Sequence, residues 1–134
     1  AGPQARVFIQ CFEPGTLRRI REELKSDLPL IQLVSDSQKD MMATEEGLDK
    51  VAEYANGIGP DKRIVESNPD VVKWAHARGL QVHPYTLRKD IVPKKYESFD
   101  DELRHYYLEY GVDAVFTDHP DAAARFLTQW RASR

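Results

Sequence analysis

Apolar stretches of strand length alternate with segments of helical period along the chain. The run from Arg6 to Phe12 (RVFIQCF) is β-branched and aromatic, and Glu13-Pro14-Gly15 ends it. Leu17, Ile20 and Leu24 then recur on one helical face. Leu28 to Ser35 (LPLIQLVS) predicts a second strand, and Thr44 opens a helix carrying Leu48, Val51, Ala52 and Ala55. A short third strand is expected at Asn56 to Gly59. A helix follows, with Asn68 as N-cap, Pro69 in its first turn, a stripe of Val71, Trp74 and Ala75, and Gly79 as its stop. Leu80 to Thr86 predicts the fourth strand, and Phe99, Leu103, Tyr106, Tyr107 and Tyr110 a helix closed by Gly111. Val112 to Asp118 predicts the fifth strand, before a helix that starts at Pro120 and is expected to bury Phe126, Leu127 and Trp130. Five strand–helix units in succession imply one α/β domain over residues 1–134 with a parallel sheet.

Strand parity separates two versions of that sheet. Phe8, Gln10 and Phe12 share a face, as do Leu30, Gln32 and Val34, and Gln81, His83 and Tyr85. Gln10, Gln32, Gln81 and His83 are expected on the face that the helices leave free. A polar inner face describes a barrel mouth. A doubly wound sheet would cover both faces, and its buried glutamines would need partners. The barrel type is favoured. The long charged segment from Lys89 to Ser98 fits a lid or substrate loop.

Composition narrows the function classes. A formal net charge of -3, with both signs interspersed, leaves no footprint for nucleic acid. No apolar run is long enough to span a bilayer, and compartment stays open. Cys11 is the single cysteine and reads as a buried thiol, so neither an internal disulfide nor a cysteine cluster is expected. The four histidines show no metal-ligand spacing, and His76 and His105 read as helix-surface residues.

VFIQCFEP, LPLIQLV, YANGIGP, GLQVHPYTLR and GVDAVFTDHPD occur in that order, with helices between them. Together they resemble the C-terminal part of the glycerophosphodiester phosphodiesterases, in their periplasmic-type branch, from about Arg6 to Trp130. The resemblance implies an incomplete TIM (β/α)8 barrel, the fourth to eighth strands. It also implies hydrolysis of the phosphodiester of deacylated phospholipids, with a calcium or magnesium ion held by residues absent from this chain. The family's His-Arg-Gly start and its metal-binding acids are not found, and Glu23-Leu24-Lys25 sits at a helix end rather than a strand end. No cofactor is identifiable from the residues present. Three positions depart from the family's usual text: Cys11 for serine, Asn56 for aspartate and His119 for phenylalanine.

By motif position, the resemblance places Gln10, Phe12, Gln32, His83, Tyr85, Arg88 and Asp118 around a substrate pocket. Arg88 would meet the phosphate, and Tyr85 with Phe12 the glycerol or choline end. Four of them have a structural reading beside this one. His83 would be a core histidine, Asp118 a cap for the last helix, and Gln10 and Gln32 inner-layer bonding residues. His83 and His119 are the weak catalytic candidates of the chain, and Pro84 marks where strand pairing stops.

A barrel lacking three strands exposes an edge at each end, Arg6–Phe12 and Val112–Asp118, and its interior. Either a homodimer or a complementary N-terminal barrel fragment is expected to cover them. The function expected is that of a glycerophosphodiester phosphodiesterase lacking its catalytic half, with a glycerophosphodiester-like small molecule as ligand. The alternative is an inactive oligomeric binding module.

Overall fold

The computed structural model describes residues 2–134. Four parallel strands form one sheet in the order β1 (Ile9–Cys11), β2 (Leu30–Val34), β3 (Gly57–Pro60) and β4 (Gln81–Val82). Each crossover therefore steps one strand in the same direction. With right-handed connections, that order puts all the crossover helices on one face, as in a barrel and unlike a doubly wound sheet. Helix α1 (Pro14–Glu22) follows β1. A 3₁₀ turn (Asp36–Gln38), α2 (Lys39–Met42) and α3 (Glu45–Ala52) follow β2, then α4 (Lys62–Ser67) and α5 (Asp70–Ala77) follow β3. After β4 come α6 (Phe99–Arg104), a π-helical continuation over His105–Tyr110, and α7 (Pro120–Ala132).

The expected fifth strand is present as a segment rather than a ladder. Asp113 N donates to Val82 O, Phe116 N to Pro84 O and Leu87 N to Phe116 O, and one parallel bridge joins Leu87 to Thr117. Pro84 has no N–H to give, so the fourth strand also breaks there, resuming as a bridge between Asp61 and Tyr85. It is correspondingly shorter than the expected Leu80–Thr86.

Local chemistry explains the helix boundaries. Thr44 Oγ1 accepts from Gly47 N at 3.0 Å, and Ser98 Oγ from Asp101 N at 3.1 Å, each satisfying an open helix donor. Pro14 and Pro120 occupy first turns. Gly111, at φ 78°, ends the π-helical turn in the left-handed region. One boundary shifts: α5 begins at Asp70 with Pro69 as N-cap, and Asn68 closes α4 instead.

The core lies between the sheet's outer face and the helices. Leu30, Val34, Ile58 and Val82 pack there with Leu17, Leu48, Val51, Val65, Val71, Leu103 and Tyr106. Each fully buried aliphatic side chain of this kind contributes about 1.5–3 kcal/mol. Leu24, expected on this face, lies beyond the end of α1 and is exposed. On α7 the buried residues are Ala122 and Ala123, whereas Phe126, Leu127 and Trp130 are half-buried. Cys11 is likewise half-buried rather than buried, and so is His105.

The register settles which side chains share the inner face. Ile9 pairs with Leu30, Gln10 with Ile31 and Cys11 with Gln32; Ile31 in turn pairs with Gly57, and Gly57 with Gln81. Paired residues of parallel strands point the same way, so Phe8, Gln10, Ile31, Leu33, Gly57, Gly59, Gln81 and His83 face inward. Gln32 faces the helices, one register step from its expected place.

Candidate functional site

The C-terminal ends of the strands open onto a cleft of about 380 Å³ lined by Gln10, Phe12, Leu33, Tyr85, Thr117 and Asp118, with Thr86 and Phe116 completing it. Four residues singled out from the sequence, Gln10, Phe12, Tyr85 and Asp118, thus meet here. Gln10 is exposed, with its side chain toward the open interior. Phe12, 41% exposed, sets its ring edge-on to that of Tyr85 at 5.9 Å. The Tyr85 hydroxyl donates to Val34 O at 3.2 Å, which fixes the ring at the rim. Burial, then the Asp61 charge, pushes the Tyr85 phenol up, so it stays a neutral donor.

Arg88 stands beside the cleft rather than in it. Its Nη2 and Nε bind the two carboxylate oxygens of Asp90 at 2.7 and 3.1 Å, and Nε lies 3.4 Å from Asp118 Oδ2. Asp118 therefore faces the guanidinium, and no side-chain cap bond supports the N-terminus of α7. That turn is shaped by Thr117, whose Oγ1 accepts from His119 N at 3.0 Å.

His83 sits deeper, 4% exposed, between the rings of Phe8 at 4.9 Å and Phe116 at 6.4 Å. Its Nε2 donates to Gln81 Oε1 at 2.9 Å, since an amide oxygen only accepts. Burial holds the imidazole below its ordinary range, with the Asp113 charge opposing. His119 has different surroundings: its Nδ1 accepts from Lys89 N at 3.3 Å and its ring packs on Phe99. The two histidines share no partner, and a single chain does not assemble them into one acid–base pair.

Gln32 is not a pocket residue. It is fully buried on the helix side, where Oε1 accepts from the Tyr54 hydroxyl at 2.7 Å and Nε2 donates to Phe12 O and Leu33 O, both at 2.9 Å.

Several polar contacts were missed in the sequence. Asp113 accepts from Val82 N and binds His76, both at 2.8 Å, and so pins the fifth segment to β4. Under the loop from Lys89 to Ser98, Lys62 Nζ meets the fully buried Glu102 at 2.8 Å. Burial pushes Glu102 up, with the Lys62 bond opposing. Glu66 accepts from Tyr106 at 2.9 Å and Tyr96 at 3.1 Å, and pairs with Lys95 at 3.0 Å. Tyr96 and Lys95 therefore tie the loop down rather than leaving it a free lid. The signal was there: Glu102 interrupts the apolar stripe of Phe99, Leu103 and Tyr106.

Among the described residues, no three His, Cys, Asp or Glu side chains gather in a way that could hold a metal ion. At the cleft, the one carboxylate is Asp118, already facing Arg88. The residues present do not fit a divalent cation. Among the described residues, no helix is long and apolar enough to cross a membrane.

A singly wound parallel sheet with a cleft of mixed polar and aromatic lining at the strand C-termini defines a segment of a TIM barrel. Solved structures agree. One from Silicibacter pomeroyi, carrying a glycerophosphoryl diester phosphodiesterase designation, superposes with a TM-score of 0.68 at 25% identity, over 93% of this chain and 39% of its own. A glycerophosphodiester phosphodiesterase from Parabacteroides distasonis gives 0.63 at 16% identity, over 91% and 43%, a likeness of fold alone. The model of the glycerophosphoryl diester phosphodiesterase family matches residues 2–122. The chain belongs to that family. Glycerophosphodiester phosphodiesterases of Haemophilus influenzae and Bacillus subtilis are 30% and 32% identical to it, over 90% and 87% of this chain. The chain spans 42% and 34% of the lengths of those two relatives.

Proposed function

We propose that this chain forms the substrate-holding wall of a glycerophosphodiester phosphodiesterase site and hydrolyses such a diester only when the rest of a barrel faces it. The observation that supports this most is the cleft itself: an aromatic pair and a carboxylate beside an arginine, at the strand ends of a family member. The Phe12 and Tyr85 rings offer an apolar rim for a glycerol or a quaternary ammonium. Arg88 offers a guanidinium edge to a phosphate once Asp90 gives way. Gln10 and Thr117 supply neutral hydrogen bonds. A calcium or magnesium ion, and the proton transfers of hydrolysis, would depend on donors outside these residues. Glycerophosphocholine hydrolysis tests the reading: none is expected from the chain alone with either cation, and turnover is expected after adding an N-terminal barrel fragment of a relative. Turnover by the chain alone, lost in His83→Ala, would overturn it.

A second reading has its own support. Val7, Phe8 and Phe12 are 57%, 44% and 41% exposed, all at the β1 edge or on the inner face. We propose that, without the rest of a barrel, two chains cover these surfaces as a homodimer. Light scattering is expected to show a dimer that Phe8→Lys with Phe12→Lys dissociates; a monodisperse wild-type mass near 15.4 kDa contradicts it.

A further inference from the structure

We propose that Asp118 selects the alcohol of the diester, and that the alcohol selected carries a quaternary ammonium, held in the corner between the Phe12 and Tyr85 rings. The inference rests on the reading of the strand-end cleft as a phosphodiester site, and it names the head group that the site takes.

The corner is built from two rings at right angles. Phe12 and Tyr85 stand at 89° to each other with centroids 5.9 Å apart, so each adds a wall to the same recess. Ring faces carry the negative end of the aromatic quadrupole and attract a cation within about 6 Å. The Tyr85 hydroxyl is turned to Val34 O at 3.2 Å, which holds that ring in place without using its face. Leu33 and Phe116 also line the cleft, and suit the methyl groups of such a cation. At about 380 Å³ the cleft lies at the small end of ligand sites, about 300–1,000 Å³.

Asp118 supplies the charge. Among the described residues, it is the one charged side chain that lines this cleft. The cations at the same rim already have carboxylates: Arg63 binds Asp61 at 2.7 Å, and Arg88 binds Asp90 at 2.7 Å. Asp118 Oδ2 lies 3.4 Å from Arg88 Nε, which also donates to Asp90. Two cations against three carboxylates leave one net negative charge. A phosphate docked on Arg88 therefore stands beside Asp118. With a neutral alcohol the two anions repel each other. With a quaternary ammonium, the cation between the rings offsets Asp118. Discrimination comes from repelling the wrong head group as much as from attracting the right one. A second glycerol also finds few partners. Thr117 Oγ1 already accepts from His119 N, and the glycerol common to all these diesters competes for Gln10.

The test compares glycerophosphocholine with glycerophosphoglycerol in NMR titrations of the 134-residue chain, at one pH and one ionic strength. The probes share a diester and a glycerol and differ in the head group. The wild type is expected to prefer the choline diester about five- to twentyfold, as befits a partly exposed cation–π corner and one ion pair. Asp118→Asn should weaken the choline diester and strengthen the glycerol one, a crossing that loss of folding cannot produce. Phe12→Leu should cut the preference about two- to fivefold. Equal affinities of the two probes at the strand-end cleft of the wild type overturn the head-group assignment and leave the phosphodiester site standing. A preference that survives Asp118→Asn does the same. Silence of Phe12, Tyr85 and Asp118 with both probes overturns the assignment and the phosphodiester site together.

Discussion

Tyr54 donates its phenolic hydrogen to Gln32 Oε1 at 2.7 Å in the core, beneath the sheet rather than at its mouth. With Phe12 O and Leu33 O also bound, Gln32 satisfies polar groups that have no access to water. Gln32→Ala strands the Tyr54 hydroxyl and leaves a void, at a cost of about 2–4 kcal/mol. Gln10→Ala, at an exposed position, is expected to change stability by less than about 0.5 kcal/mol. Urea unfolding of both variants checks the contrast, and equal losses would contradict the assignment of Gln32 to the core.

Gly57 is held by close approach, not by its dihedrals. A Cβ there would stand 2.7 Å from Gln81 O and 2.8 Å from Ile31 Cδ1, and one at Gly59 2.7 Å from Leu33 Cδ2. These glycines give Ile31 and Leu33 the room to lie over β3 on the inner face. Gly57→Ala meets a neighbouring backbone and should destabilise by about 1–3 kcal/mol, the range for overpacking. Gly15→Ala, with open space around it, serves as the control and should cost less than about 1 kcal/mol. Comparable losses at Gly57 and Gly15 in thermal unfolding would refute the packing argument.

His83 makes stability fall on the acid side. Burial lowers its folded-state pKa, so the folded chain binds fewer protons than the unfolded one near the ordinary value of 6.5. Its contribution is present above that value and is lost as the pH falls through it towards the folded value. His83→Gln removes the titrating group and keeps a polar partner for Gln81. The variant should therefore lose less stability than wild type between pH 7.5 and pH 5.5, roughly the span over which an ordinary imidazole charges. Parallel pH profiles of the urea midpoint in the two proteins would show that His83 is not the group responsible.

The parallel sheet and most element positions were legible in the alternation of strand and helix patterns, because consecutive βα units admit few topologies, and its barrel type in the polar positions of the first and fourth strands. The parity of β2 was not. Leu30 to Val34 is apolar on both faces, as a strand buried on both sides must be, so nothing local said which parity matched β1. That one step moved Gln32 from mouth to core. The fifth strand read as regular because VDAVF is strand-like, whereas its pairing depends on what Pro84 withholds and on the Asp113 side chain. The approach of Gln10, Phe12, Tyr85 and Asp118 followed from their motif positions at strand ends, as the resemblance implied. The Arg88–Asp90 pair was written two residues apart, yet its consequence for an anion needed the distances.

The most direct test of the central claim is where glycerophosphocholine binds. A second and larger cleft, of about 680 Å³, lies between the exit loop, α6 and α7, with Lys89 and Arg125 among its lining residues. Backbone amide shifts on titration should cluster at Gln10, Phe12, Tyr85, Thr117 and Asp118, with Arg88 Nε shifting as Asp90 is displaced. Shifts confined to the cleft beside Arg125, with those strand-end residues silent, would contradict the account.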